Sequence, residues 1–298
     1  MRNIGRREFV ALAGAGLAAG QQREPAVVAS ATVDTTPRVA IVLSSFRGGA
    51  DHDGTPIPGL EHPRPVDADQ TSGEIDAMVR KAIDLAATRA GDLASAVEAD
   101  AWVVIKAHIL TDPRIVSTVI SYLAERKRGL RFTVADGAAQ TIEECARRFP
   151  GVRFEIADLK TADSIELPVP GKSLAHGVYR VPKIVQQCDR LISIAPLKTG
   201  TIANYLDIAP GPPPGSADEV MVDLFSYHPA DFAIAVDHNL VIAGAKAVCV
   251  DAVAAAVMGF KPADLRFLAL AERKGFGTRD IDSIWTRGNE IEQARRMP

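Results

Sequence analysis

The sequence predicts an α/β fold: a mostly parallel, doubly wound sheet with helices on both faces and an inserted β-hairpin. Two observations lead to this prediction. Short continuous apolar runs recur along the 298 residues, as expected of strands buried on both faces. Stretches with helical periodicity, of about 10–15 residues, separate many of these runs. Hydrophobic residues make up 47% and charged residues 24%, a composition that is ordinary for a globular protein with a substantial core.

The first strand is predicted at residues 39–43. A polar segment rich in Gly, Pro and Asp follows at 47–70, and its length indicates a functional loop or a mobile flap. Thr71 and Glu74 have the spacing of a helix start, and apolar side chains recur at helical spacing as far as Ala86.

The strand–helix unit then repeats. A strand is predicted at 102–106, and Asp112 before Pro113 is typical of a capped helix start. The basic run 126–128 complements the carbonyl end of that helix. Further elements are predicted as a strand at 130–135, a helix at 141–149 and a strand at 152–157.

The third part of the chain contains the hairpin, predicted at about 163–182. The core pattern resumes at 190–195, followed by a short helix through Asn204. The remaining predicted elements are strands at 231–236 and 240–243, helices at 250–258 and 262–274, and a short strand near Ile284. Residues 32–298 are predicted to form one domain.

The first 31 residues have the pattern of a twin-arginine export signal. Arg6 and Arg7 precede Phe9 and an apolar run at 10–20, which is shorter than the ~20 residues that span a bilayer. A short helix packed on the domain is the alternative. We therefore expect export to the periplasm or another extracytoplasmic space, the twin-arginine machinery as a partner, and no stable membrane span. Cleavage after Ala31 would make Thr32 the first residue of the mature chain. Similarity to such signals implies export in the folded state, often with a cofactor already bound.

Charge and cysteine usage exclude several classes of function. A net charge of −3 and 5% aromatic residues argue against nucleic acid as a partner. Cys145, Cys188 and Cys249 stand singly, which excludes a disulfide framework, a Cys-rich zinc site and an iron–sulfur cluster built from this chain alone. We expect Cys188 and Cys249 to be buried, because they lie in apolar segments. HExxH, GxSxG and EF-hand motifs do not occur, and the cofactor stays unidentified.

Polar residues that directly follow strands are the best candidates for a site, because ligands of doubly wound sheets lie beyond the carboxyl ends of the strands. As catalytic candidates the sequence offers Lys106, Lys198, Asp136 and Asp237. As candidates for ligand binding it offers His108, Thr199, Asn204, His238 and Asp251. Two lysines and two carboxylates at one edge would suit an anionic ligand, a Schiff base or acid–base chemistry. The alternative is that each residue simply ends a strand and meets water. Asp251, inside an apolar helix, must be exposed, paired or capping.

A metal site is the weaker prediction. His228, Asp231 and His238, with Asp237, could approach one another near a strand end and bind a metal. The six histidines contain no pair at helical metal spacing, so we predict no metal.

Four segments together, 100–106, 181–199, 240–259 and 270–277, resemble the domain of unknown function 362 family, and the resemblance extends over about residues 38–287. It implies a fold and a site region but supplies no reaction. Many relatives are iron–sulfur proteins with a separate ferredoxin module, which this sequence does not contain. The chain also departs from the family pattern: Gly200 stands where relatives have His after Lys-x, and Lys246-Ala247 where they have Asp-Pro.

These observations favour an exported enzyme that acts on a small ligand at the carboxyl ends of the strands. The alternatives are a periplasmic ligand-binding or redox-accessory protein without catalysis, and a structural remnant of the family.

Overall fold

Twelve strands occur in the described part of the chain, and eight of them form one twisted sheet. A computed structural model describes residues 36–47, 61–63, 69–88, 91–136, 139–209 and 215–296. The predicted export signal and most of the polar segment 47–70 lie outside these residues. The strands are β1 (Arg38–Leu43), β2 (Ser45–Arg47), β3 (Glu61–Pro63), β4 (Trp102–Ala107), β5 (Arg131–Ala135), β6 (Arg153–Ala157), β7 (Ser164–Pro168), β8 (Val178–Pro182), β9 (Arg190–Pro196), β10 (Phe232–Asp237), β11 (Leu240–Gly244) and β12 (Trp285–Gly288).

The helices lie between these strands. They are α1 (Ser72–Leu85), α2 (Pro113–Ala124), α3 (Ala139–Arg148), α4 (Lys183–Gln187), α5 (Ala217–Phe225), α6 (Ala247–Val257) and α7 (Arg266–Arg273). Three 3-10 helices cover Ala203–Ile208, Pro262–Asp264 and Ile281–Ser283. Among the described helices, none combines the length and hydropathy needed to cross a bilayer.

The large sheet has the order β12-β1-β11-β10-β9-β4-β5-β6, and of its strands β11 alone runs antiparallel to the others. The predicted hairpin is confirmed as β7 and β8, which pair from Ser164 opposite Pro182 to Pro168 opposite Val178. The small strands β2 and β3 also pair antiparallel. The predicted fold class, a mostly parallel α/β sheet with an additional hairpin, is confirmed.

Helices cover both faces of the sheet, and the strand residues alternate between the two cores. Ala40 and Val42 of β1 pack in the core beneath α1 and α2, whereas Val39 and Ile41 pack in the core beneath α5, α6 and α7. This alternation follows from the two-residue period of a strand. It also decides which face each polar side chain of the sheet points to.

The helix starts predicted at Thr71 and Asp112 are confirmed in detail. Thr71 and Glu74 form a capping box at α1, in which Glu74 N–H donates to Thr71 Oγ1 and Thr71 N–H donates to Glu74 Oε2. Asp112 accepts the backbone N–H of Arg114 at the start of α2. At the end of α2, Arg126 donates to the carbonyl of Tyr122, which bears out the predicted interaction of the basic run with the helix end.

Several elements differ from the prediction. No helix was predicted at the position of α5, and the helix predicted at 262–274 is a 3-10 turn followed by α7. Residue 204 lies inside a 3-10 helix that continues to Ile208. The helix predicted at 250–258 begins at Ala247, directly after the extended Lys246.

The chain changes direction across the sheet at β4. From β4 it proceeds through β5 to β6 at one edge, and it then returns to β9 on the other side of β4. The crevice between β4 and β9 is therefore the topological switch point, which is where doubly wound sheets bind their ligands.

Candidate functional site

Lys106, near the end of β4, and Asp136, directly after β5, form an ion pair at the switch point. Lys106 Nζ lies 2.7 Å from Asp136 Oδ2, and the two side chains are 2% and 19% exposed, respectively. Asp136 Oδ1 also accepts the backbone N–H of Leu159 at 3.4 Å. The pair therefore extends from the interior to the edge of the sheet at the carboxyl ends of its parallel strands (the carboxyl edge).

The backbone of Asp136 adopts the left-handed conformation, with φ 60°. Few residues other than glycine do so, although aspartate tolerates it better than most. A left-handed aspartate costs conformational energy that the surrounding structure must offset. The conformation produces a bend directly after β5, at the residue whose carboxylate meets the Lys106 ammonium.

Asn204 connects this pair to β9. Its carbonyl oxygen accepts from Lys106 Nζ at 3.4 Å, and its Nδ2 donates to the Lys106 carbonyl at 3.0 Å and to Ser193 Oγ at 3.1 Å. The side chain is buried in the 3-10 helix that follows β9. Asn204 therefore bridges β4 and β9 across the switch point and does not face solvent.

Asp251 lies beneath this layer, within α6. It is 3% exposed. Its carboxylate accepts the N–H and the hydroxyl of Thr201, both at 2.7 Å, and the N–H of Ile202 at 2.9 Å. Burial raises the pKa of Asp251 to about 6, against the three hydrogen bonds, which lower it. The sequence left three possibilities for Asp251: exposed, paired or capping a helix. The structure shows a buried carboxylate that is hydrogen-bonded to Thr201 and Ile202 and does not cap α6.

A continuous hydrogen-bonded chain results from these contacts. Ser193 Oγ donates to the Thr201 carbonyl at 2.9 Å, which joins the Asp251 contacts to those of Asn204. We call the chain Asp136–Lys106–Asn204–Ser193–Thr201–Asp251 the polar network. Ser193 and Thr201 were not among the predicted site residues. Ser193 could have been noticed as the lone hydroxyl in the apolar run 190–195.

Lys198 and Thr199 lie in the turn after β9. Lys198 is exposed and Thr199 is half-buried, and the N–H of Thr199 donates to the Pro196 carbonyl at 2.9 Å. Lys198 is therefore at the carboxyl edge as predicted, but it takes no part in the polar network. Its ammonium is accessible to an incoming molecule.

Asp237, at the end of β10, pairs with Arg296 near the end of the chain. Arg296 Nε lies 3.4 Å from Asp237 Oδ2, and Arg296 also donates to the side chain of Asn239. The structure therefore joins Asp237 to Arg296, which was not among the predicted site residues, rather than to Lys106 or Lys198. A separation of almost 60 positions explains why the sequence did not reveal this pairing.

A cavity of about 700 Å³ opens at the carboxyl ends of β9 and β10. Pro196, Val236, Asp237 and His238 line one side, and the segment before α2 and the start of α1 line the other. Ile109 and Leu110, in the lining, are 80% and 77% exposed. His108 precedes them: its N–H donates to the Ile194 carbonyl at 2.9 Å, and its Nδ1 accepts from Leu110 N–H at 3.2 Å. The carboxyl edge thus carries the polar network on the α5–α7 side and this cavity on the α1–α2 side.

The weak metal candidates do not come together. His228 and Asp231 precede β10, whereas His238 follows it, and a six-residue strand separates its ends by about 20 Å. His228 Nε2 lies 3.4 Å from Asp231 Oδ2, and its Nδ1 lies 2.8 Å from the Val185 carbonyl. Within the residues that the structure describes, no cluster of three or more His, Cys, Asp or Glu is placed to hold a metal.

The predicted burial of Cys188 and Cys249 is confirmed, and Cys145 is buried as well. All three are free thiols.

Comparison with known proteins gives no family. No protein-family model and no curated protein matches the chain. A solved structure similar to it is that of the lactate racemase apoprotein from Thermoanaerobacterium thermosaccharolyticum, with 11% identity and a TM-score of 0.42. The match covers 72% of this chain and 62% of that one, so the chain spans less than two thirds of the racemase. A likeness of this extent assigns neither a reaction nor a ligand.

Proposed function

We propose that the protein is an exported enzyme that acts on a small molecule at the carboxyl edge, with an anion as the best-suited class of substrate. The observation that carries the proposal is the Lys106–Asp136 ion pair at the switch point. A buried ion pair contributes little to stability compared with apolar residues of the same size. The left-handed conformation of Asp136 adds a further cost of about 1–3 kcal/mol. Both costs argue for a role other than stability.

Each residue of the carboxyl edge has a separate role in this proposal. Lys198 supplies an accessible positive charge that attracts an anionic group. Asp136 is the member of the ion pair that solvent reaches, so it is the candidate for proton transfer, and Lys106 compensates its charge from the interior. The cavity beside Asp237 and His238 is within the usual size of ligand sites, about 300–1,000 Å³. Lys106, Asp136 and Lys198 do not line it, so it is a second place for a small molecule, on the other face of the same edge.

A periplasmic ligand-binding or redox-accessory protein without catalysis is the second candidate. The pairing of Asp237 with Arg296 favours it, because it separates one of the four predicted catalytic residues from the Lys106–Asp136 pair. In this case the same edge would hold a small molecule in place without turning it over.

A ligand screen tests the binding part of the proposal. Small carboxylates, phosphates, amines and neutral compounds are added at millimolar concentration to the wild type, to Lys198→Ala and to the matched control Lys81→Ala, which removes an exposed lysine of α1. We expect carboxylates or phosphates to raise the melting temperature of the wild type and the control, and to bind Lys198→Ala at least tenfold more weakly. Equal binding to all three proteins, or no binding of any anion, would contradict the proposal.

Turnover separates the enzyme from the binding protein. Each bound compound is incubated with the wild type and with Asp136→Asn, and its NMR spectrum is followed with time. Conversion by the wild type that is lost in Asp136→Asn, with binding retained, supports the enzyme. Binding without conversion in both proteins supports the second candidate.

Export and family membership are proposals that rest on the sequence. The paired arginines lie outside the described residues. Arg6→Lys together with Arg7→Lys is expected to retain the protein in the cytoplasm, as measured by cell fractionation, since export signals of this type require the arginine pair. Unchanged export of the double variant would contradict the prediction of a twin-arginine signal, and the proposal for the site would be unaffected.

A further inference from the structure

We infer that Asp251 is a positioning residue of the carboxyl edge: from within α6 it fixes residues 200–202, and through them the Asn204 amide that holds Lys106. The inference rests on the proposed function, because it assigns the support of that same site. It gives Asp251 a different task from ligand binding. All three of its hydrogen-bond donors belong to Thr201 and Ile202.

The first step is the unusual setting of the Asp251 carboxylate. It is the fifth residue of α6, among alanines and valines, and it is almost completely buried. A buried carboxylate is costly unless hydrogen bonds satisfy it. Here the backbone and hydroxyl of one short segment provide those bonds, so the carboxylate and the segment hold each other in place.

The second step is the shape of that segment. Gly200 has φ +84°, and a Cβ at this position would lie 3.3 Å from Asp251 Oδ2. The chain therefore passes directly over the carboxylate in a conformation that suits glycine. On its other side, the Thr201 carbonyl accepts the Ser193 hydroxyl at 2.9 Å. The segment is tied to α6 by Asp251 and to β9 by Ser193.

The third step leads to Lys106. The backbone N–H of Asn204 donates to the Gly200 carbonyl at 3.2 Å, so the position of Asn204 depends on the same segment. Its side chain contacts the Lys106 carbonyl and the Lys106 ammonium. Loss of the Asp251 contacts should therefore loosen Asn204 and expose the Lys106 ammonium to solvent exchange. Lys198, two residues before Gly200, should shift with it.

The experiment measures hydrogen exchange of the Lys106 ammonium by NMR on protein with ¹⁵N-labelled lysine. Lys106→Met identifies the signal by removing it. We expect exchange at least tenfold faster in Asp251→Asn, whose amide NH₂ would face a backbone N–H, and in Thr201→Val, which lacks the hydroxyl donor. Thr201→Ser keeps the hydroxyl and should restore slow exchange. Hydrogen exchange of the backbone amides of Thr201 and Ile202 should likewise be faster in Asp251→Asn and Thr201→Val than in the wild type and Thr201→Ser.

Asp223→Asn is the matched control. Asp223 is also a fully buried carboxylate, but it accepts the N–H groups of Leu174 and Ala175, in the connection between β7 and β8, and pairs with Lys274 at 3.3 Å. A general structural role of buried carboxylates would change Lys106 exchange in both variants, whereas a positioning role changes it only in Asp251→Asn. If Asp251→Asn does not fold, the comparison of Lys106 exchange in Thr201→Val with that in Thr201→Ser tests the positioning role instead.

Wild-type exchange at Lys106 in both Asp251→Asn and Thr201→Val would overturn the inference. The measurement needs no ligand, so it is independent of the screen for the proposed function. If Lys106 exchanges faster in the variants but the wild type binds no anion, only the proposed function is contradicted. If the wild type binds an anion but exchange in the variants is unchanged, only the positioning role of Asp251 is contradicted.

Discussion

Lys106 and Asp136 are 30 positions apart, yet the ammonium of one lies 2.7 Å from a carboxylate oxygen of the other. The register of the sheet explains the contact. In the parallel pair of β4 and β5, Lys106 lies opposite Ala135, so Asp136 is the next residue after the ladder. A buried cation on one strand thereby meets a carboxylate at the rim of its neighbour.

The burial of this ion pair predicts a large cost for breaking it. Lys106→Met removes the ammonium and leaves the Asp136 carboxylate without its partner, which we expect to lower the free energy of unfolding by about 3 kcal/mol. Urea unfolding measures this cost. Lys183→Met is the matched control: Lys183 Nζ also lies 2.7 Å from a carboxylate, that of Asp163, but the side chains are 41% and 76% exposed. An exposed pair contributes about 0–1 kcal/mol, and equal costs for the two variants would contradict the prediction.

Gly200 is predicted to be the position beside the polar network where an added side chain destabilises the fold. Its φ of +84° disfavours any residue with a Cβ, and the added atom would lie 3.3 Å from Asp251 Oδ2. We expect Gly200→Ala to destabilise the protein by about 1–3 kcal/mol. Gly73→Ala, in the first turn of α1, places its Cβ in open space and should stabilise the protein by about 0.5–1 kcal/mol. Chemical denaturation of the two variants measures the contrast, and a neutral Gly200→Ala would count against the described backbone.

The sequence predicted most strands and the helix starts at Thr71 and Asp112, because these depend on local composition and on capping side chains. It did not predict α5. That helix is buried from Val220 to Phe225 and includes the buried Asp223, so it lacks the alternation of apolar and polar faces on which the prediction of a surface helix relies.

The candidate site was predictable to the extent that neighbouring strands determine it. Lys106 and Asp136 meet because each lies at the end of a strand in successive strand–helix units. Lys198 does not join them, because it is two residues beyond the end of β9 and lies in a turn. The pairing of Asp237 with Arg296 depends on where the last residues of the chain pack, and no local pattern contains that information.

The three thiols are predicted to be unreactive in the folded protein. Burial raises the pKa of Cys145 and Cys249, and burial with the nearby Asp231 and Asp189 raises that of Cys188 to about 12. Since the thiolate is the reactive form, a thiol reagent at pH 8 should modify none of them within minutes and all three after unfolding in urea. The absorbance of the coloured thiolate that the reagent releases gives the number of modified thiols. Rapid modification of one thiol in the folded protein would show that its segment is open to solvent.

The buried carboxylate of Asp251 predicts how stability depends on pH. Its pKa is about 6 in the folded protein, above the ordinary value of 3.8, so between these values the folded state binds the proton more tightly than the unfolded state. The contribution of Asp251 to the free energy of unfolding must therefore fall as the pH rises from about 4 to 7, by up to about 3 kcal/mol at ~1.4 kcal/mol per unit.

Asp251→Asn isolates this contribution, because an amide does not titrate in this range. Other carboxyls have the opposite effect: the hydrogen bonds and charge of Arg114 lower the pKa of Asp112, which adds stability as the pH rises. Since Asp112 is present in both proteins, its effect cancels in the difference between wild type and variant. Urea unfolding at several pH values should give a difference that decreases from pH 4 to 7. A constant difference would mean that the hydrogen bonds from Thr201 and Ile202 balance the burial of the Asp251 carboxylate, and an increasing one that they outweigh it.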